Sequence, residues 1–244
     1  MQTNHSLPAA LIFDMDGVLV DSNPFHLEKW AALLNLHQIA FNQNDLPRLI
    51  LGQRNDTALR YFFGEGLSGQ DCRRLEEELE ETFRKAFKPH AQPLPGLEDL
   101  LVRCQSAGVP MAVASSAMRK NVDFVVEALG FREYFQTLVS GDEVASPKPD
   151  PEIYLKAADD LGFKPEDCVA FEDSFVGIES AKRAGLKCVA VASSFPIEEL
   201  RDQTAADLAV PGFYNINLEV LRRLFPVAPF GLRKKLGSGA RKKL

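Results

Sequence analysis

The strongest constraint on this chain is a run near its N-terminus, Leu11-Ile12-Phe13-Asp14-Met15-Asp16-Gly17-Val18-Leu19-Val20-Asp21-Ser22. An apolar stretch ends in two carboxylates separated by one residue, and a glycine then breaks it. Carboxylates that close repel one another and lose hydration unless a cation stands between them. A hard divalent ion that takes oxygen ligands, such as Mg²⁺, meets that need. The run reads as the end of a buried parallel strand holding a metal-assisted active site.

From residue 96 onward, short apolar runs alternate with helical patterns. Residues 111–114, 137–139, 168–171, 188–191 and 207–210 read as strands. Gly108, Gly130, Gly162 and Gly185 fall where helix C-caps would lie between them. This rhythm specifies an α/β fold, a Rossmann-like parallel-sheet core covered on both faces. The stretch from about 22 to 94 carries no strand signal. Asn23-Pro24 starts a helix with Trp30, Leu33, Leu34 and His37 at helical spacing. Ser68-x-x-Asp71 resembles a capping box and opens a long charged helix. Pro89, Pro93, Pro95 and Gly96 form a stiff return. The expected organisation is a core from 1–21 and 95–230, an inserted all-helical cap over 22–94, and a flexible basic tail over 231–244.

The net charge of −6 argues against nucleic acid as a main partner. The basic residues Arg233, Lys234, Lys235, Arg241, Lys242 and Lys243 read as a solvated tail. No apolar run reaches membrane-spanning length, and residues 1–8 lack the basic-then-apolar pattern of a secretion signal. A cytoplasmic monomer without a membrane partner is expected. Cys72, Cys104, Cys168 and Cys188 form no C-x-x-C pair, so neither a zinc site nor a redox dithiol is indicated.

Ligands of an open parallel sheet bind outside the carboxyl ends of its strands. Asp14 and Asp16, Ser115, Lys148 in Lys148-Pro149-Asp150-Pro151, and Glu172-Asp173 all follow apolar runs. Each has an ordinary reading alone: a turn serine, a surface lysine, a helix N-terminus. Jointly the set resembles the haloacid dehalogenase superfamily of aspartate-nucleophile phosphotransferases, from Leu11 to about Val210. The D-x-D-G-V-L-x-D-S run and the E-D-S-x-x-G-I-x-x-A run at 172–181 carry the resemblance, and the helical insert is similar to the branch containing β-phosphoglucomutase and sugar-phosphate phosphatases.

The resemblance implies roles. Asp14 is the expected nucleophile, and Asp16 the general acid and then base. Mg²⁺ is expected on the Asp14 carboxylate, the Asp16 carbonyl and Asp173, supported by Glu172. Ser115 and Lys148 are expected to bind the phosphoryl group. In the cap, His26 matches a hinge histidine of the mutases. Their G-x-S-R run corresponds here to Gly52-Gln53-Arg54-Asn55, with Asn55 in the arginine's place. Their Lys-Asn pair is shifted within Ser115-Ser116-Ala117-Met118-Arg119-Lys120-Asn121. His26, Arg54, Asn55, Ser116 and Arg119 are therefore the candidate substrate-binding residues. The incomplete second phosphate site favours a phosphatase acting on a small phosphorylated metabolite, a sugar phosphate by class. Phosphoglucomutase-like transfer is the alternative, and a non-enzymatic binding protein on the same fold is the third reading.

Overall fold

The computed structural model describes residues 7–64 and 66–225; the expected basic tail lies outside them. In chain order the elements are β1 (Ala10–Phe13), α1 (Asn23–Leu36), α2 (Leu46–Ile50), α3 (Asn55–Phe63), α4 (Gly69–Phe87), α5 (Leu97–Ser106), β2 (Met111–Ala114), α6 (Arg119–Leu129), β3 (Thr137–Val139), α7 (Glu152–Leu161), β4 (Cys168–Glu172), α8 (Phe175–Arg183), β5 (Lys187–Val191), α9 (Ile197–Gln203), β6 (Leu208–Val210) and α10 (Leu218–Arg223). The strands form one parallel sheet in the order β3-β2-β1-β4-β5-β6.

Alternation along β1 sends Leu11 and Phe13 to one face and Ala10 and Ile12 to the other. The first face packs on Leu97, Leu101, Val122 and Val125 of α5 and α6. The second face is built from small side chains, among them Ala10, Ala112, Ala114, Ala170 and Ala190. Small residues let α7 and α8 approach closely, which is what carries Tyr154 and the loop before it to the sheet edge. Phe13 pairs in register with Val113 and Phe171, and its ring stacks on Phe171 at 4.7 Å. Asp14 and Glu172 follow that pair directly, so they emerge side by side. Strand order reverses beside β1, where β2 lies on one side and β4 on the other. That is the crevice where a doubly wound sheet binds ligand.

Between β1 and α5 the described residues form helices α1–α4 and no strand. They make a cap domain with its own core of Trp30, Leu34, Ile50, Leu59, Leu75 and Leu79. Ser68 caps α4 by accepting from the Asp71 backbone N–H at 3.1 Å. The C-terminal half of α4 leaves the cap core, and Phe83 and Phe87 pack into the main core. Phe25, in the first turn of α1, meets the Phe87 ring edge-on at 5.2 Å. The two chain crossings are thus joined by aromatic packing, and Leu94 N–H to the Leu19 carbonyl at 3.0 Å ties the return strap to the outgoing one. All four cysteines are buried and unbridged. Among the described residues no helix is long and apolar enough to cross a membrane.

Candidate active site

Lys148 is the hub. Its Nζ donates to Asp14 Oδ1 at 3.0 Å, to Glu172 Oε1 at 2.6 Å and to the Ala114 carbonyl at 3.2 Å. The ammonium is fully buried, and one cation between two carboxylates offsets part of their desolvation cost. Glu172 spends every lone-pair direction locally. Tyr154 O–H donates to Oε1 at 2.7 Å, while the backbone N–H groups of Asp173 and Ser174 and the Ser174 hydroxyl donate to Oε2. It therefore positions Lys148 and the start of α8 and has little left to offer a ligand. Ser174 also caps α8 by accepting from the Gly177 N–H at 3.1 Å.

Asp173 Oδ2 accepts from Asn23 Nδ2 at 2.8 Å and from the Ser194 hydroxyl. The loop after β1 reaches it because residue 17 is glycine: φ is +74°, and a Cβ there would stand 1.9 Å from Asp173 Oδ2. Asp16 Oδ1 accepts from Ser22 Oγ at 2.5 Å and lies 3.1 Å from His26 Nε2. The His26 ring is stacked at 4.1 Å on Phe83 of α4, so the cap sets the ring that faces Asp16. Ser115, buried at the end of β2, accepts from the Ala117 N–H at 3.1 Å.

The electrostatics separate the three aspartates. Burial pushes Asp14 up to about 8, against the pull of Lys148 and with the repulsion of Glu172 and Asp16. Burial likewise raises Asp173 well above the carboxylate range, helped by Glu172 and Asp14. Burial opposes ionisation of Asp16 too, but His26 and Ser22 outweigh it and hold that carboxyl below its ordinary value. The carboxylates of Asp14, Glu172 and Asp173 lie close enough together to surround one cation, with that of Glu172 already taken up by its five donors. Asp14 Oδ2 and Asp173 Oδ1 accept no hydrogen bond among the described residues. Two buried carboxylates that resist ionisation, each with an oxygen free, fit a divalent cation with oxygen ligands.

The residues singled out from sequence converge unevenly. Asp14, Asp16, His26, Arg54, Asn55, Ser115 and Ser116 line one cavity of about 150 Å³ between core and cap. Lys148, Glu172 and Asp173 do not line it; they are buried, with Lys148 bonded to Asp14 of the lining. Ser116 Oγ donates to the cap's Gly52 carbonyl at 2.8 Å. Arg119 is not brought in: its guanidinium is bound to Glu143 and to the Leu138 carbonyl. Sequence reasoning missed Asn23 and Ser194, which orient Asp173, and Tyr154, which orients Glu172. It also missed the polar cap wall. There Glu80 is buried and accepts from Lys29 at 2.8 Å, from Asn55, and from Asn121 of the core, while Glu76 lies one turn earlier. Ser194 follows β5, so the strand-end rule that found Ser115 would have found it.

Residues 11–191 match the family model for haloacid dehalogenase-like hydrolases. The chain is 31% identical over 211 residues to Protein CbbY of Rhodobacter capsulatus, covering 83% of this chain and 92% of that protein. It is 34% identical over 183 residues to the phosphorylated carbohydrates phosphatase of Thermotoga maritima, covering 73% and 82%. Among solved structures, β-phosphoglucomutase of Clostridium difficile superposes with a TM-score of 0.79 at 25% identity, over 89% of this chain and 97% of that one. The chain belongs to the haloacid dehalogenase-like hydrolases and is an enzyme of that family.

Proposed function

We propose that this hydrolase is a Mg²⁺-dependent phosphatase that cleaves a small monophosphorylated metabolite, a sugar phosphate by class, through an aspartyl-phosphate on Asp14. The observation that supports it most is the placement of Asp14, held by Lys148 at the floor of the cavity, beside a partly exposed Asp16 that reaches into it. The named activity of the Thermotoga maritima relative, on phosphorylated carbohydrates, agrees with that reading.

The Asp14 carboxylate, Asp173 and the Asp16 backbone carbonyl would hold Mg²⁺, with Glu172 behind them. The ion neutralises charge that builds on the transferring phosphoryl oxygens and on the nucleophile. Ser115 and Lys148 bind phosphoryl oxygens. An Asp14 oxygen forms a bond to phosphorus as the bond to the leaving oxygen breaks. The leaving oxygen takes its electron pair and a proton from Asp16. Asp16 is held ionised by His26 and Ser22 in the ligand-free site, and an anionic phosphate brought beside it raises its proton affinity. Water then attacks phosphorus, Asp16 takes its proton, and the Asp14–phosphorus bond breaks to release inorganic phosphate.

Transfer to a second sugar hydroxyl is the competing reading, favoured by the likeness to β-phosphoglucomutase. The two are separated by supplying β-glucose 1-phosphate, a trace of glucose 1,6-bisphosphate and Mg²⁺, beside a panel of other sugar phosphates. Phosphate release somewhere in the panel, abolished by a chelator, is expected. Rapid glucose 6-phosphate formation with negligible phosphate release from any compound overturns hydrolysis.

A further inference from the structure

The cavity has two chemically different ends. The core end carries Asp14, Asp16 and Ser115; the cap end carries Arg54, Asn55, Glu76 and Glu80. The cations near the cap end have partners, and Arg84 donates to Asn121 Oδ1. Lys29 is paired with Glu80. Arg54 donates twice to Asp56, at 3.1 and 2.6 Å, and at 3.4 Å to the Val144 carbonyl. Arg119 is spent on Glu143. Glu80 accepts from Lys29, Asn55 and Asn121. Glu76 differs: the Asp56 backbone N–H donates to it, but among the described residues no side chain does, and it is half-buried in the wall. It sits four residues before Glu80 on α4, so both carboxylates face the same side of the helix.

A wall with two carboxylates, whose one lining guanidinium is already paired with Asp56, is poorly suited to a second phosphate, whose oxygens are acceptors without protons at neutral pH. It can accept from hydroxyl or ammonium groups. We propose that Glu76 is a specificity-determining residue that accepts hydrogen bonds from hydroxyl or ammonium groups on the non-phosphate part of the substrate, and that with Glu80 it turns bisphosphates away. The assignment rests on the phosphatase reading above. It separates this chain from any relative whose cap grips two phosphates.

The test compares kcat/KM for fructose 1-phosphate, glucosamine 6-phosphate, fructose 1,6-bisphosphate and p-nitrophenyl phosphate, which has no donor groups beyond its phosphate. Wild type, Glu76→Ala and Glu76→Lys are measured after circular dichroism shows each to be folded. Wild type is expected to favour the two monophosphates over the bisphosphate by about tenfold or more. Loss of one hydrogen bond to a charged acceptor corresponds to about tenfold or more in affinity. Glu76→Ala should therefore lower the ratio of monophosphate to aryl phosphate by that factor, chiefly through KM. Glu76→Lys should raise the ratio of bisphosphate to monophosphate. If p-nitrophenyl phosphate is hydrolysed and both ratios stay within about twofold of wild type, the role of Glu76 is refuted while the phosphatase reading stands. If no compound releases phosphate, the phosphatase reading fails and this proposal with it.

Discussion

A Cβ atom at Gly177 would stand 2.0 Å from Glu172 Oε1. The glycine in the first turn of α8 is what lets the Glu172 carboxylate fold back beneath the helix that follows it and reach Lys148. A residue chosen for its missing side chain thus fixes the cation that holds Asp14.

Gly177→Ala should therefore destabilise the protein, although alanine is the better helix former. Helix propensity favours alanine by about 1 kcal/mol at most, and less at a first-turn position. A contact that close, against a carboxylate fixed by five donors, costs about 1–3 kcal/mol as overpacking. Urea denaturation should show a net loss of about 1–2 kcal/mol. Unchanged stability would mean that Glu172 moves aside freely.

Lys148→Met removes the ammonium that bridges Asp14 and Glu172. Removing one partner of a buried charge cluster costs about 3–5 kcal/mol at neutral pH. The loss should shrink as pH falls, because the Asp14 carboxyl, which burial already pushes up to about 8, is then neutral. Denaturation at two pH values checks this, and a pH-independent loss would point to packing instead.

Trp30 is the sole tryptophan and lies in the cap core, so its fluorescence follows the cap. Glu80→Ala leaves Lys29 buried without its carboxylate. Burial already lowers Lys29 against the pull of Glu80, and without Glu80 it falls further. The variant should lose about 3–5 kcal/mol at neutral pH and recover part of it as pH rises, since the unfolded chain then binds more protons than the folded one. An unshifted Trp30 transition would show that the pair contributes nothing.

Burial pushes Glu76 up to about 7, with Asp56 and Glu80 repelling and Arg54 and the Asp56 N–H opposing. The ionised form is the stronger acceptor. The ratio of kcat/KM for fructose 1-phosphate to that for p-nitrophenyl phosphate should rise through about pH 7 and flatten above it. Dividing by the aryl phosphate cancels titration of the shared catalytic groups. In Glu76→Ala the ratio should be flat, and an unchanged rise there would assign the titration elsewhere.

The sheet was legible because parallel strands buried on both faces are continuous apolar runs; 111–114 and 137–139 match strand for strand. The site was legible where strand ends announce it, at Asp14, Ser115 and Glu172. Lys148 was found only through its motif, since nothing in a Pro-rich loop says that its lysine turns inward. Asn23 read as a helix start, and its contact to Asp173 spans 150 residues. The cap wall was illegible for a different reason. Glu76 and Glu80 lie in Glu76-Glu77-Glu78-Leu79-Glu80-Glu81-Thr82, six charged or polar residues around one leucine that read as a solvated face, and only the seating of α4 against α1 and α6 decides which of them turn inward.

The most direct measurement of the central claim is to mix the enzyme with a ³²P-labelled sugar phosphate and Mg²⁺, quench in acid on the millisecond scale, and map protein-bound label by peptide sequencing. The account predicts an acid-stable, hydroxylamine-labile phosphate on the peptide carrying Asp14, absent in folded Asp14→Asn, whose turnover is abolished. Turnover by wild type with label on another residue, or near-wild-type phosphate release by folded Asp14→Asn, would contradict it.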